Sequence, residues 1–243
     1  MAFDRTKTLT LFGRKPVIEA LEDSNVTVSC VHLSDSNKPS DEIKRINKLA
    51  KQRDSEIKRH SKLALSRISK NGKQDQGVAA DIFCDNFYSA NDIAQQEGIF
   101  IAVDRIGNPQ NLGMLIRSVA ASGIGGLVLA EEAGNTKINS LVVKASAGTV
   151  FKCAIYKSDT LLATATDLAQ HGFQIVCMDG NANTSLSKLK PQPKTLFILG
   201  NETEGIRPEL LALANHTCRI DMSNGVESLN VAVAGSLVAF GVS

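Results

Sequence analysis

Three separated segments of the sequence hold polar side chains of the types that bind ligands and take part in catalysis. They read N-P-x-N-x-G-x-x-x-R over residues 108–117, L-G-N-E-x-x-G over 199–205, and I-x-M-x-x-x-V-E-S-L-N over 220–230. Their polar side chains of interest are Asn111, Arg117, Glu202, Ser228 and Asn230. Amides donate and accept hydrogen bonds, a carboxylate accepts them, and a guanidinium binds anions.

Arg117 stands out because its neighbours in a predicted helix over 112–121 are apolar. An arginine embedded among apolar side chains costs free energy unless it meets an anion. The anion is either a structural Asp or Glu, or a phosphate or carboxylate of a ligand. The sequence favours the ligand.

The other polar residues have structural alternatives. Asn111 lies where an N-cap for the 112–121 helix is expected, Ser228 could cap the last helix, and residues 200–205 could be a surface turn. Asn230 is predicted in the first turn of an apolar helix, where Asn has poor propensity, which suggests that its amide is used.

The elements around these segments alternate between strand and helix patterns. Strands are predicted at 99–104, 127–130, 173–178, 195–199 and 217–220, and helices at 112–121, 161–170 and 229–240. Such alternation predicts an α/β fold with a parallel sheet covered on both faces. Ligands bind such sheets beyond the carboxyl ends of strands, where all three segments lie.

The preceding residues predict a smaller α/β module. It has a short helix at 16–21, strands at 26–33 and 78–83, and a helix over 41–53 capped by Ser40 or Asp41. A polar stretch follows. We therefore expect domains at 1–88 and 99–243, joined by a linker at 89–98.

The charge is concentrated in the smaller module. Residues 44–73 carry a net charge of +9, whereas the whole chain carries only +2. This excess indicates a surface for a polyanion, and the alternative is a solvated helix face. The window has no aromatic residue, so we expect it to contact phosphates rather than stack on bases. The RNA-binding candidates are Arg14, Lys44, Arg45, Lys48 and Lys51.

Composition excludes several classes of protein. With 43% hydrophobic and 21% charged residues, the chain resembles ordinary folded domains and has no apolar run long enough for a membrane span. The five Cys form no C-x-x-C pair and the four His are scattered, so we expect neither a disulfide scaffold nor a metal site. No export signal is visible over residues 1–16, so we expect a cytoplasmic protein.

In their order, the three segments resemble the motifs of the SpoU/TrmH family of RNA ribose 2′-O-methyltransferases, over about residues 99–243. The residues from L-F-G-R-K-P-V at 11–17 to Q-G-V-A-A at 76–80 are similar to the ribosomal-protein-like RNA-binding module of many members. One departure is Asp75, where many members have His.

The resemblance implies a deep trefoil knot, S-adenosylmethionine as cofactor, and a homodimer with sites at the subunit interface. It places the cofactor against Leu199, Gly200, Ile220, Met222, Ser228 and Leu229. It makes Asn111, Arg117, Glu202, Ser228 and Asn230 the catalytic positions.

Because a guanidinium stays protonated, our hypothesis is that Arg117 holds the RNA phosphate and stabilises the developing alkoxide. The sequence leaves two alternatives open. One is an RNA-binding protein without activity, and the other is a nucleotide-dependent oxidoreductase, which the missing G-x-G-x-x-G disfavours. The N-terminal module favours ribosomal RNA over transfer RNA as substrate.

Overall fold

The computed structural model describes residues 7–132 and 134–242. The sequence predicts no export signal over residues 1–16. Residues 1–6 of that segment lie outside the described residues. Across the described ranges, no helix has both the length and the apolar character needed to span a membrane.

The first third of the chain contains β1 (Thr8–Phe12), α1 (Arg14–Glu22), β2 (Val26–Ser34), α2 (Asp41–Gln52), β3 (Glu56–His60), α3 (Lys62–Ser69) and β4 (Val78–Cys84). The rest contains β5 (Phe87–Ser89), β6 (Gly98–Val103), α4 (Pro109–Ser122), β7 (Gly126–Ala130), α5 (Ser140–Ala145), β8 (Ile155–Ser158), α6 (Leu161–Gln170), β9 (Gln174–Met178), β10 (Thr184–Ser185), β11 (Lys194–Leu199), α7 (Pro208–Leu213), β12 (His216–Arg219) and α8 (Val231–Gly241). Short 3-10 helices cover Ala90–Gln95, Thr149–Phe151 and Leu186–Lys188.

The first of two compact units comprises the residues up to Asn86 together with 138–152. Its sheet has the order β1-β4-β2-β3, in which β2 and β3 are parallel and the other pairs antiparallel. The later segment joins this unit through α5, where the Ser140 hydroxyl accepts a hydrogen bond from the Phe12 N–H at 2.6 Å. The predicted boundaries at 88 and 99 stay a prediction.

The second unit comprises residues 87–137 and 153–242 and contains an eight-stranded sheet of order β10-β12-β9-β11-β6-β7-β8-β5. Every neighbouring pair in it is parallel, which confirms the predicted α/β sheet. One core cluster packs α6 against this sheet and includes Phe100, Val128, Leu168, Ile175 and Ile198.

Local sequence explains where the key helices begin and end. The Asn108 side chain accepts from the Gln110 N–H at 2.8 Å, so α4 begins at Pro109, three residues before the predicted start. It ends before Gly123, whose φ of 80° suits glycine. In α2, Ser40 is the N-cap and accepts from the Ile43 N–H at 3.3 Å.

Sequence patterns did not predict several of the helices and strands. The predicted linker at 89–98 includes the 3-10 helix over Ala90–Gln95, which buries Ile93 completely. The strand β3 was not predicted because its sequence, EIKRH, is polar and its residues are mostly exposed. The elements β1, α3, β5, α5, β8, β10 and α7 were also not predicted.

Candidate active site

Parallel strands bring the three polar segments to one edge of the large sheet. The segment containing Asn111 follows β6, that containing Glu202 follows β11, and that ending at Asn230 follows β12. Strands β6 and β9 flank β11, and β12 lies beside β9, so the carboxyl ends of all three strands lie close together.

Hydrogen bonds join the three segments directly. The Asn111 Nδ2 donates to Glu202 Oε1, and the Asn230 Nδ2 donates to Asn111 Oδ1 at 3.1 Å. These residues are 91 and 119 positions apart in the chain. The structure therefore brings together three of the five predicted catalytic side chains.

Two structural alternatives for these residues are wrong. Asn111 does not cap α4, because Asn108 does, and this leaves its amide for Glu202 and Asn230. Ser228 does not cap α8. Asn230 is the N-cap rather than a first-turn residue, and its Oδ1 accepts from the Ala232 N–H at 2.9 Å.

The loop that carries Glu202 is closed by its own backbone. Asn201 and Gly205 exchange N–H···O hydrogen bonds of 3.1 and 3.0 Å, and the Asn201 Oδ1 accepts from the Thr203 N–H at 2.8 Å. A Cβ on Gly200 would lie 2.6 Å from the carbonyl carbon of Gly205, so only glycine fits there. The closed loop holds Glu202 outward at the sheet edge.

A partly buried ion-pair network that the sequence did not predict supports the same loop. Asp104 is fully buried and accepts from the Arg207 Nε at 2.8 Å and the Arg207 N–H at 2.9 Å. The Arg207 Nη2 donates to Glu132 at 2.7 Å, and bonds to Glu132 and Asp104 raise the pKa of Arg207. An acidic residue directly after a buried strand, Asp104, could have indicated such a network. No sequence pattern identified Arg207 as its partner.

Arg117 lies apart from this cluster. The structure corrects the expectation that it is embedded among apolar side chains, because Arg117 is exposed on α4. Among the described residues it has no hydrogen-bond or ion-pair partner. It follows Asn111 by six residues, which in a helix is about 9 Å along the axis and about 120° around it.

Exposed apolar side chains lie on α4, which carries Arg117, and on α8, which packs against it. Helices α4 and α8 pack together at Gly235, and the Ser236 hydroxyl donates to Ser118 at 2.6 Å. Met114 on α4 is 49% exposed, and Val233 and Leu237 on α8 are 41% and 45% exposed. We call these three side chains the α4–α8 face.

The predicted cofactor residues differ in exposure. Leu199 is buried, Gly200, Ile220 and Leu229 are half-buried, and Met222 and Ser228 are exposed. They offer both apolar and accessible polar surface, and S-adenosylmethionine has groups of both kinds.

The loop that begins at Ile220 is held at its base. Asp221 accepts from the Ser185 hydroxyl at 2.5 Å and from the Arg219 Nε at 3.0 Å, and these bonds lower its pKa. Beyond it, in residues 222–229 of the described chain, only the Val226 N–H donates to a backbone acceptor. The remaining amides are accessible to the polar edge of a ligand, so these residues fit the implied cofactor.

The five RNA-binding candidates, all in the first unit, divide into two groups. Lys44, Lys48 and Lys51 are exposed on α2. Arg14 instead pairs with Glu42 at 2.8 Å, and Arg45 pairs with Glu22. The three lysines therefore carry the charge that is most available to a polyanion.

Comparison with known families gives two matches. Residues 98–240 match the SpoU rRNA Methylase family, and residues 10–87 match the family described as RNA 2′-O ribose methyltransferase substrate binding.

Relatives match along most of the chain. One is the 23S rRNA (guanosine-2′-O-)-methyltransferase RlmB of Xylella fastidiosa, 27% identical over 240 residues, which cover 96% of this chain and 95% of the relative. Another is an uncharacterized tRNA/rRNA methyltransferase of Mycolicibacterium gilvum, 25% identical over 95% of this chain and 74% of the relative.

Solved structures share the fold. The AdoMet-bound rRNA methyltransferase of Sinorhizobium meliloti is 25% identical with a TM-score of 0.69, covering 98% of this chain and 87% of that one. The SpoU methyltransferase AviRb of Streptomyces viridochromogenes, with AdoMet, has a TM-score of 0.71 at 20% identity, covering 98% and 90%.

Proposed function

Since the chain belongs to the SpoU rRNA methylase family and is an S-adenosylmethionine-dependent RNA 2′-O-ribose methyltransferase, we propose that its substrate is structured ribosomal RNA. The observation that carries the assignment of the site is the hydrogen-bonded cluster of Asn111, Glu202 and Asn230. The hydrogen bonds of this cluster join residues from three motifs that are far apart in the sequence.

Two comparisons support ribosomal over transfer RNA. The family's description names rRNA, and the relative from Xylella fastidiosa is named for a guanosine of 23S rRNA. The RNA-binding role of residues 1–88 and the methyl-transfer role of 99–243, joined at 89–98, are supported by the family matches over residues 10–87 and 98–240.

The cofactor supplies an electrophilic methyl group when it is bound. Leu199, Ile220 and Leu229 provide apolar surface for it, while Gly200, Met222, Ser228 and the amides of residues 222–229 provide close approach and donors. Asn111, Glu202 and Asn230 fix the polar edge of this site, and Ser228 lies two residues before the Asn230 cap. Positioning of this kind contributes much of the rate of a displacement reaction.

Arg117 binds the RNA phosphate next to the target ribose. Its guanidinium has no protein partner among the described residues, so its charge is available to an anion. Beside the ribose it stabilises the negative charge that develops on the 2′-oxygen, and the proton passes to the phosphate or to water.

The protein acts as a homodimer through the α4–α8 face. Exposed apolar side chains on two packed helices lose contact with water when a second copy covers them. Because Arg117 lies on this side of α4 and points about 120° away from Asn111, it serves the site of the partner subunit.

The C-terminal segment forms the trefoil knot. This is supported by the path of the chain, which leaves β12 beyond β9 and returns as α8 against α4, with Gly235 beside Leu199. We assign the protein to the cytoplasm, in keeping with its five cysteines, which are buried as reduced thiols.

The test is methyl transfer from radiolabelled S-adenosylmethionine to RNA from cells that lack the gene. We expect label in ribosomal RNA as a 2′-O-methyl nucleotide at one mapped position, and none in RNA from cells that carry the gene. Label confined to transfer RNA, or on a base, contradicts the proposal.

A further inference from the structure

The first unit contains an open groove that the family assignment does not explain. It has a volume of about 570 Å³ and lies between α2, β3 and the segment that follows β2. Its lining residues are Leu33, Asn37, Pro39, Ile43, Lys44, Asn47, Lys48, Lys51 and Arg59.

The rim of the groove is cationic. Lys44, Lys48 and Lys51 come from α2 and Arg59 comes from β3, and none of the lining residues is acidic. Among the described residues, Lys48, Lys51 and Arg59 make no ion pair, and Lys44 makes only an exposed one of 3.4 Å. This charge complements an anion at the rim.

The interior is apolar with fixed hydrogen-bond acceptors. Leu33 is buried and Ile43 half-buried, which gives an aliphatic surface. The Nδ2 atoms of Asn37 and Asn47 donate to the carbonyls of Gly77 and Ile43, each at 2.7 Å. Both amides are thereby held in place, and within the described chain their Oδ1 atoms accept from no donor.

We propose that this groove holds one unstacked nucleotide of the RNA substrate. Its base lies against the aliphatic surface and donates N–H bonds to Asn37 and Asn47, and its flanking phosphates contact the lysines and Arg59. A paired base exposes neither its faces nor its Watson–Crick edge, so a regular duplex does not fill the groove. The proposal rests on RNA being the substrate and names the feature of it that the first unit recognises.

The test compares two RNA hairpins of equal length, one with a single unpaired nucleotide and one fully paired. Binding to the full-length protein is measured at fixed salt. We expect the unpaired nucleotide to increase affinity roughly 30-fold, because two amide contacts of about 1 kcal/mol each together add about 2 kcal/mol. Asn47→Leu removes one of the two amide contacts, so it should reduce this preference about fivefold and leave the affinity for the paired hairpin unchanged.

Charge is tested with matched double variants. Lys48→Gln with Lys51→Gln should weaken binding of both hairpins and reduce the salt dependence by about two counterions. Lys62→Gln with Lys73→Gln removes the same charge from exposed positions that do not line the groove, and should have a smaller effect. Equal effects of the two pairs overturn the proposal, as does equal binding of the two hairpins by the wild type.

A crosslink gives a readout that does not depend on variants. With 4-thiouridine at the unpaired position, we expect attachment within residues 33–59, and attachment elsewhere overturns the proposal. Polyglutamate that competes as well as the hairpin indicates a general anion site and also overturns it. A wrong substrate proposal would show as a lack of methylation of ribosomal RNA. The hairpin binding and crosslinking assays test the groove independently of that result.

Discussion

Asn111 connects the three motifs because an amide can donate and accept at once. Its Nδ2 donates to Glu202, and its Oδ1 accepts from Asn230. A carboxylate only accepts, so Glu202 fixes which way the Asn111 amide points. In turn, Asn230 is fixed as the cap of α8. A change at Asn111 therefore affects all three loops.

We expect Asn111→Asp to reduce methyl transfer in a pH-dependent way. The new carboxylate cannot donate to Glu202 and repels it, which should lower kcat about 30-fold, or about 2 kcal/mol, near pH 8. Like charges raise the pKa of one carboxyl group, so protonation restores a donor in mild acid and the loss should shrink near pH 6.

The measurement is kcat relative to wild type at each pH, with Asn111→Ala as control. Alanine carries no titratable group, so its loss should be the same at both pH values. Parallel losses for the two variants would mean that Asn111 does not contact Glu202 during turnover.

The packing of α4 on α8 places Asn230 beside Asn111. A Cβ on Gly235 would overlap the side chain of Leu115 and lie 2.9 Å from Leu199 Cδ1. Both leucines are buried, so neither can move aside freely. Gly235 thus sets the distance between the two helices.

Gly235→Ala should lower the free energy of unfolding by about 1–3 kcal/mol through overpacking. Gly241→Ala is the matched control, because a Cβ there has no atom within 4 Å and the residue belongs to the same helix. Denaturant unfolding compares the two. Equal stabilities would show that α4 and α8 do not pack as closely as described.

Helices and strands could be predicted from the sequence where their own residues carry the pattern of a helix or a strand. Helix α2 has an apolar repeat with a Ser40 cap, and β11 is an apolar run, so both were found. Strand β3 was missed because an exposed edge strand needs no apolar alternation. The burial of Arg117 was predicted wrongly, because α8, more than 100 residues later, covers only one side of α4.

At the scale of the whole molecule, charge and reaction chemistry lie on different compact units. The basic α2 belongs to the first unit, and the Asn111 cluster belongs to the second. The sequence predicted that the three motifs lie close together, because each follows a strand of a parallel sheet. The partner of Asp104 could not be predicted, because Arg207 is 103 residues away and no spacing rule links them.

The proposed dimer makes each site depend on two chains. Arg117 of one subunit and Glu202 of the other would act together, so either variant alone, Arg117→Ala or Glu202→Ala, should abolish activity. A heterodimer that pairs the two variants keeps one complete site: the subunit with Arg117→Ala retains Glu202 and receives Arg117 from its partner.

The most direct test is the rate of methyl transfer by this heterodimer, purified through a different affinity tag on each subunit. We expect about half the wild-type rate, since one of two sites is intact. A dimer of two Arg117→Ala subunits, tagged in the same way, should stay inactive. A heterodimer as inactive as its parents, or a protein that stays monomeric during turnover, would contradict a site shared between subunits.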